Sequence, residues 1–322
     1  VILVVSYPEE DHTAAVVDLL RADGHEVELL DAAQLPTTDS IELEYGVDGC
    51  AHRLRIGTDG PDRVVDLDAA RAGWWRRIRA LAPHPSITDP AAAGFAVGET
   101  VEVFEGLIGS LNLDWINDPV RDREAHHKPL QWTVAHGLGF DLPRTLVTSS
   151  PERARDFVAE LGVGQVIAKP FLERVDAWRE TRILDHNDVE RLDQVRLAPT
   201  LLQEYVPGVD LRVTVVGHHV YATEIDASAT SYPADMRMVL GEAEVHPVLL
   251  PEALVTRIRA LLSRLGLVYG AVDLRRTPDG GYRFFEVNPA GLWLFAQQRS
   301  GWPITEAVAG ELAKRERMLV PA

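Results

Sequence analysis

Apolar and polar positions along this chain follow two rhythms, and their order sketches an architecture. Residues 1–5 are one continuous apolar run, the mark of a buried strand; residues 13–22 carry apolar side chains at helical spacing and stop at Asp23-Gly24; residues 26–30 form a second strand. This βαβ opening predicts a small open α/β domain. Three short alternating runs follow at 41–47, 52–57 and 63–67, separated by Asp48-Gly49 and Asp59-Gly60. Asp-Gly suits hairpin turns that need positive φ, so a β-meander is expected. Residues 90–111 have helical spacing through Phe95, Val101, Phe104 and Ile108, and Trp115-Ile116-Asn117 is a short strand returning to the first sheet.

The polar, proline-containing stretch 118–123 marks a boundary. Beyond it a helix over 124–137 contains Lys128, and a strand runs through Thr148. Ser149-Ser150-Pro151-Glu152 then opens a helix with a hydroxyl cap and a proline in the first turn. Val166-Ile-Ala168 is a strand that delivers Lys169, and residues 201–206 form another. Residues 211–216 and 220–225 flank Gly217-His218 as a hairpin, 251–265 is an amphipathic helix, and 303–315 closes the chain. There is no internal repeat. The expected division is 1–120, 121–207 and 208–322.

The richest chemistry lies near the carboxyl end. Tyr269-Gly-Ala-Val-Asp-Leu-Arg-Arg276 and Tyr282-Arg-Phe-Phe-Glu-Val-Asn-Pro289, joined by Thr-Pro-Asp-Gly-Gly, predict a β-hairpin. Strand side chains alternate, so Glu286 and Asn288 share a face, and antiparallel pairing can bring Asp273 to them. Two carboxylates and an amide on a stiff scaffold suit Mg²⁺, with water and substrate phosphates filling its other positions. The plain alternative is that Asp273 and Glu286 solvate the outer face of the hairpin. Glu286, however, sits between Phe284-Phe285 and Val287, where a solvating charge is unusual.

Charge narrows the choice of partner. Against 49 Asp and Glu stand 32 Lys and Arg, a formal charge of −17, which disfavours nucleic acid and anionic membranes because phosphate surfaces are held by clustered cations. A site for an acidic substrate must then be locally basic. The lone cysteine, Cys50, excludes an internal disulfide and a cysteine metal cluster and fits a reducing compartment; a structural role is expected for it. No apolar run approaches the roughly 20 residues of a membrane span. The apolar opening is too short and too soon acidic for a signal peptide, so a cytoplasmic location with a trimmed initiator Met is expected.

Lys169 ends a strand before Pro170, which leaves its ammonium facing a cleft. With Lys128 it is a candidate for phosphate contact, against the commoner use of lysine as a surface solvator. No glycine occurs from Gln165 to Pro207, so the phosphates are not covered by a P-loop-like nest. Gln203-Glu-Tyr-Val206 followed by Pro-Gly-Val-Asp210 reads as a strand crossing between lobes. Its exposed backbone donors and acceptors suit an adenine edge and Asp210 suits ribose hydroxyls; otherwise it is an ordinary strand end with a Pro-Gly turn. Trp74-Trp-Arg-Arg77 is either a surface near an active site or, more commonly, interior packing with solvated guanidinium groups. A Rossmann dehydrogenase is disfavoured, since the first strand lacks a Gly-x-Gly turn.

Taken in order, Lys128, Lys169, Gln203 to Val206, Asp210, Asp273, Glu286 and Asn288 resemble the ATP-grasp fold of carboxylate-amine ligases over about residues 118–322. Four stretches narrow the likeness: Trp74-Trp-Arg-Arg77; Lys128-Pro-Leu-Gln131 with Leu142-Pro-Arg-Thr-Leu-Val-Thr148; Asp210-Leu-Arg-Val-Thr214; and Val287-Asn-Pro-Ala-Gly-Leu-Trp293. With these the chain looks like the microviridin-type, or graspetide, ligases that macrocyclise ribosomal peptides, although Leu292 stands where that family leads one to expect Gln. The resemblance implies an α/β (α+β) ATP-grasp fold with an N-terminal open α/β pre-ATP-grasp domain, a central lid subdomain and a C-terminal catalytic subdomain. It implies ATP and Mg²⁺ as cofactors, with Mg²⁺ on Asp273, Glu286 and Asn288 and phosphates on Lys128 and Lys169. Adenine would meet the backbone of Gln203, Glu204, Tyr205 and Val206, and ribose Asp210. A homodimer and a ribosomal precursor peptide, leader plus acidic core, are the implied partners.

The expected chemistry converts a Glu or Asp side chain of the peptide into an acyl phosphate, which a Ser/Thr hydroxyl or Lys amine then attacks to close an ester or amide ring. Such catalysis needs a cation near the acyl oxygen and substrate carboxylate. Arg212, on the same strand face as Asp210, has the planar fork for this, unless it makes a cross-strand salt bridge instead. Arg237, with Asp235 to orient it, is the second candidate; both choices lean on the resemblance. His126, His127, His218 and His219 are expected to be solvated or core rather than catalytic. The rivals are an ATP-grasp ligase that adds a free amino acid to a protein or small acid, and a nucleotide- and peptide-binding module without turnover.

Overall fold

The opening apolar runs become β1 (Ile2–Val5) and β2 (Val27–Leu30), parallel neighbours separated by α1 (Asp11–Ala22). In this computed structural model, which describes residues 1–57, 63–171, 181–227 and 241–318, β6 (Ala72–Trp75) and β7 (Asp114–Ile116) complete a parallel sheet of order β2-β1-β6-β7. The expected return of the 115–117 stretch to the first sheet is therefore met. The strand β6 was not expected, because Ala-Gly-Trp-Trp shows no alternation: it is a central strand covered on both faces. Between them lies α2 (Pro90–Ser110), and the meander forms as β3 (Asp39–Gly46), β4 (Gly49–Ile56) and β5 (Arg63–Asp66). Cys50, expected to be structural, is exposed near the start of β4.

A second sheet, antiparallel, has the order β10-β9-β11-β8, from β8 (Thr145–Thr148), β9 (Val166–Lys169), β10 (Arg182–Ile183) and β11 (Thr200–Glu204). The helix α5 (Pro151–Leu161) starts as its sequence dictates, with the Ser150 hydroxyl accepting from the Arg153 N–H at 3.2 Å. Its Ala154, Phe157 and Val158 join Val166 and Leu202 in a small core, and the short α6 (His186–Glu190) lies nearby.

The third sheet is larger: β14-β13-β12-β15-β16, all antiparallel. Its strands are β12 (Val209–Val216), β13 (His219–Asp226), β14 (Glu244–Val248), β15 (Tyr269–Arg276) and β16 (Tyr282–Asn288). One face is covered by α7 (Glu252–Leu265), through Leu254, Ile258, Leu261 and Leu262. Gly208, at φ +146°, leads into β12 where an added Cβ would stand 2.2 Å from the Arg276 carbonyl oxygen, so only glycine fits this entry.

Two expectations need correction here. The helix expected over 124–137 is two helices, α3 (Pro119–Ala125) and α4 (Lys128–Gly137). A continuous helix is barred because the Pro129 ring would strike the carbonyl of Ala125 and has no N–H to give it. The polar stretch 118–123 is thus largely helix, capped by Asp118, whose carboxylate accepts from Val120 and Arg121 at 3.0 and 2.9 Å. The second correction concerns Trp74 to Arg77. Trp74 and Trp75 do pack inside, but Arg76 is not solvated: it is 1% exposed and gives two hydrogen bonds to Glu10, at 3.0 and 3.1 Å.

The chain ends in α8 (Leu294–Ser300) and α9 (Ile304–Met318). Ile304, Val308 and Leu312 of α9 share one core with Ile2, Val4, Val16, Leu20 and Trp74. The last helix therefore closes the first sheet.

Candidate nucleotide and metal site

Register places the chemistry. Asp273 on β15 faces Glu286 on β16, Ala271 faces Asn288, and on the other side of β15 Arg212 of β12 faces Asp273. Arg212, Asp273 and Glu286 thus stand in one row across three strands. The next pair is Leu274 with Phe284, so Phe285 is an extra residue in a β-bulge. Strict alternation would send Phe285 away from Glu286; with the bulge Phe285, Glu286 and Asn288 all line the cleft, while Phe284 and Val287 enter the core.

That cleft runs between the second and third sheets. Its lining includes Lys128, Lys169, Gln203, Glu204, Tyr205, Val206, Asp210, Arg212, Asp273, Glu286 and Asn288, with Ile167 and Phe285 as apolar surfaces. The structure brings together every site residue singled out in the sequence except Arg237, which with Asp235 lies outside the described residues.

The charges are matched in pairs. Lys128, in the first turn of α4, forms an ion pair with Glu286, and Arg212 Nε lies 3.2 Å from Asp273 Oδ1. The cross-strand salt bridge considered for Arg212 is thus present. Lys169 Nζ stands 5.4 Å from the centre of the Phe285 ring, within cation–π range. Asp210 takes two hydrogen bonds from Arg275, at 2.8 and 2.9 Å, and a third arm of that guanidinium donates to the Val206 carbonyl at 2.8 Å.

Arg275 and Gln131 support the candidate site and were not singled out in the sequence. Arg275 sits two positions from Asp273 and directly opposite Asp210, so the alternation that singled out Arg212 carried the signal. Gln131 was quoted only within a motif. Its amide donates to the Val287 carbonyl at 2.7 Å and accepts from the Val287 N–H at 2.8 Å, which caps the outer edge of β16. Trp132 adds a bond from its indole to the Phe285 carbonyl at 2.8 Å, and together they hold α4, with Lys128, against the strand that carries Glu286.

The donor set fits Mg²⁺. All three groups are oxygen donors, two of them facing each other across a strand pair. Mg²⁺ takes one or two carboxylates and leaves its other positions to phosphates and water, which is what this pair of acids with an amide can offer. The crossover at 203–206 is more fully bonded than expected. The N–H groups of Glu204 and Tyr205 donate to Arg144 O and Gln165 O at 2.8 Å each, and the Val206 carbonyl is engaged by Arg275.

No protein-family model matches the chain, and no curated protein does either. Solved structures do. The macrocyclase MdnC from Microcystis aeruginosa MRC, bound with precursor peptide MdnA, is 26% identical with a TM-score of 0.85, over 97% of this chain and 98% of that one. A RiPP-associated ATP-grasp ligase from Chryseobacterium gregarium, in complex with ADP and a leader and core peptide, has a TM-score of 0.85 at 23% identity over 99% of both chains. The ATP-grasp ligase PsnB, complexed with a phosphomimetic variant of its minimal precursor, Mg and ADP, reaches a TM-score of 0.74 at 24% identity over 98% of each. The resemblance read from the motifs thus extends over nearly the whole chain.

Proposed function

We propose that this chain, which carries the ATP-grasp ligase fold from end to end, activates Glu or Asp side chains of a ribosomal precursor peptide and joins them to Ser/Thr hydroxyls or Lys amines as macrocycles. The observation that carries this is the single cleft in which two lysines, two arginines, an acid pair and Asn288 meet beside the crossover strand. When bound, ATP supplies the phosphoryl group that makes the carboxylate an electrophile, and Mg²⁺ offsets the charge of the phosphates. Asp273, Glu286 and Asn288 would hold the metal, and Lys128 and Lys169 the phosphates. Lys128, paired with Glu286, would have to give up that partner to reach a phosphate. The Gln203 to Val206 backbone and Asp210 would seat the nucleoside, with Arg275 bonded to both oxygens of the Asp210 carboxylate and so fixing its plane. Arg212 and Arg237 hold the substrate carboxylate and the developing charge on its carbonyl oxygen.

A partition into 1–120, 121–207 and 208–322 is supported by the four sheets, the parallel sheet and the meander lying within 1–120 and one sheet in each later part. A homodimer in the cytoplasm is proposed from the family likeness; among the described residues no helix is long and apolar enough to cross a membrane. Incubation with ATP, Mg²⁺ and short acidic peptides encoded beside this gene tests the reading by mass spectrometry. Macrocyclisation removes one water and releases one ADP per bond. Addition of a residue to the peptide would favour the amino-acid ligase, and absence of ADP would favour a binding module.

A further inference from the structure

We propose that side chains of the first lobe form a buried clamp that sets the position of Asn288, with Arg76 as its principal positioning residue; this rests on the reading of Asp273, Glu286 and Asn288 as the Mg²⁺ ligands. The clamp acts on the turn directly after β16. There the Asn288 Oδ1 accepts from the Ala290 N–H at 3.0 Å and the Asn288 carbonyl from the Gly291 N–H at 3.2 Å, so the Asn288 amide is tied to where Gly291 lies. Gly291 is seated tightly: a Cβ on it would stand 2.4 Å from the Ala271 Cβ, and Ala271 is the residue opposite Asn288.

Polar groups of the first lobe, joined by Tyr269 of β15, converge on this turn. Arg76 Nη1 reaches the Gly291 carbonyl at 3.4 Å, and the Tyr269 hydroxyl donates to the same oxygen at 2.7 Å. Asn117 donates to the Pro289 carbonyl at 3.3 Å while its Oδ1 accepts from the Val268 and Tyr269 N–H groups at 2.8 Å each. Behind Arg76, Glu10 accepts both of its remaining arms and pairs with His12 Nδ1 at 2.9 Å. His12 Nε2 in turn accepts from the N–H groups of Trp293 and Leu294, at 3.0 and 3.1 Å, which fixes the imidazole as the tautomer protonated on Nδ1.

A guanidinium that is 1% exposed, beside a carboxylate that is 5% exposed, is a costly way to fasten a loop if fastening is all that is needed. A satisfied buried network fixes one geometry where apolar packing tolerates several. The residue that benefits is a proposed metal ligand, and partners that orient a ligand tune metal affinity.

Titration calorimetry with ADP, in EDTA and across a range of Mg²⁺, tests the clamp on the whole protein. The variants are Arg76→Lys, Tyr269→Phe and, as a control, Leu20→Ala, which destabilises the same core without touching the turn. In Arg76→Lys the Mg²⁺ concentration for half-maximal tight ADP binding rises about tenfold or more, the scale expected for groups behind a metal ligand. In Tyr269→Phe it rises less, ADP binding in EDTA is unchanged in both, and Leu20→Ala lowers only the unfolding temperature. Should Arg76→Lys fail to fold, Tyr269→Phe decides. Wild-type Mg²⁺ dependence in both variants, or an equal shift in Leu20→Ala, overturns the clamp and leaves the site standing. A wild type whose ADP binding ignores Mg²⁺ overturns the metal site and the clamp with it.

Discussion

The β15–β16 hairpin and the first-lobe network hold the same residue, Asn288, by opposite means. The hairpin does so by register: Asp273, Glu286 and Asn288 take their places through strand pairing between neighbours in sequence. The network does so across separations of 172, 215 and 281 residues, through Asn117, Arg76 and His12. The hairpin's polar groups face a cleft, whereas Arg76, Glu10, His12 and Asn117 are all buried. Chemistry placed by a strand's period lies open for ligands; chemistry placed by long-range burial serves to hold geometry. The two should therefore fail differently when altered.

The largest effects belong to side chains that face the cleft, on the hairpin and opposite it. Glu286→Gln and Lys169→Met should each lower ADP formation by about a hundredfold or more, as loss of a group that meets transition-state charge does. Thermal unfolding should scarcely change, because both side chains face the cleft. Wild-type-like turnover in either variant would remove that residue from the site. Arg212→Ala should spare ADP binding, read by calorimetry, and abolish the dehydrated product in mass spectra; undiminished ring formation would leave Arg212 with its salt bridge alone.

The network should answer in stability first. Arg76→Ala leaves Glu10 buried without its main partner and should cost about 3–5 kcal/mol in chemical denaturation. Gly291→Ala must push against Ala271 and should cost about 1–3 kcal/mol.

The smallest effect is one of pH. Burial, the largest influence, holds the His12 pKa below its ordinary 6.5 despite the hydrogen bond to Glu10. The unfolded chain therefore takes up that proton near 6.5 while the folded one does not, so the stability His12 contributes is full above 6.5 and is lost as pH falls below it. Glu10 has the same sign in a lower window. Burial opposes its ionisation, but His12 and Arg76 outweigh this and hold its carboxyl well below 4.5, so its contribution is lost as pH falls beneath that value. Asp122, raised above 3.8 mainly by burial, has the opposite sign, and its penalty grows as pH rises through its folded value. Replacing His12 with Gln should flatten the step below 6.5 in a series of thermal melts; an unaltered step would assign it elsewhere.

The same contrast explains what was legible in the sequence. The hairpin, the meander, the βαβ opening and the α5 cap follow from alternation, turn chemistry and a capping hydroxyl, all local. Lys128 and Lys169 were placed with the acids by order along the chain, and the cleft contains them. What stayed hidden was set by tertiary context. Phe285 turns into the cleft through a bulge that alternation does not announce, and β6 lacks a strand's rhythm because both its faces are buried. Arg76, as one of two adjacent arginines, gave no sign that it would be enclosed by Glu10 and Trp293. The division of the 124–137 helix was within reach, since Pro129 was in plain view.

The most direct test of the central claim is a crystal structure with Mg²⁺ and a non-hydrolysable ATP analogue. The account predicts the metal on Asp273, Glu286 and Asn288, with the triphosphate between Lys128 and Lys169 and the Lys128–Glu286 pair opened. A nucleotide bound outside this cleft, with Lys128 still on Glu286 and no metal on the hairpin, would contradict it.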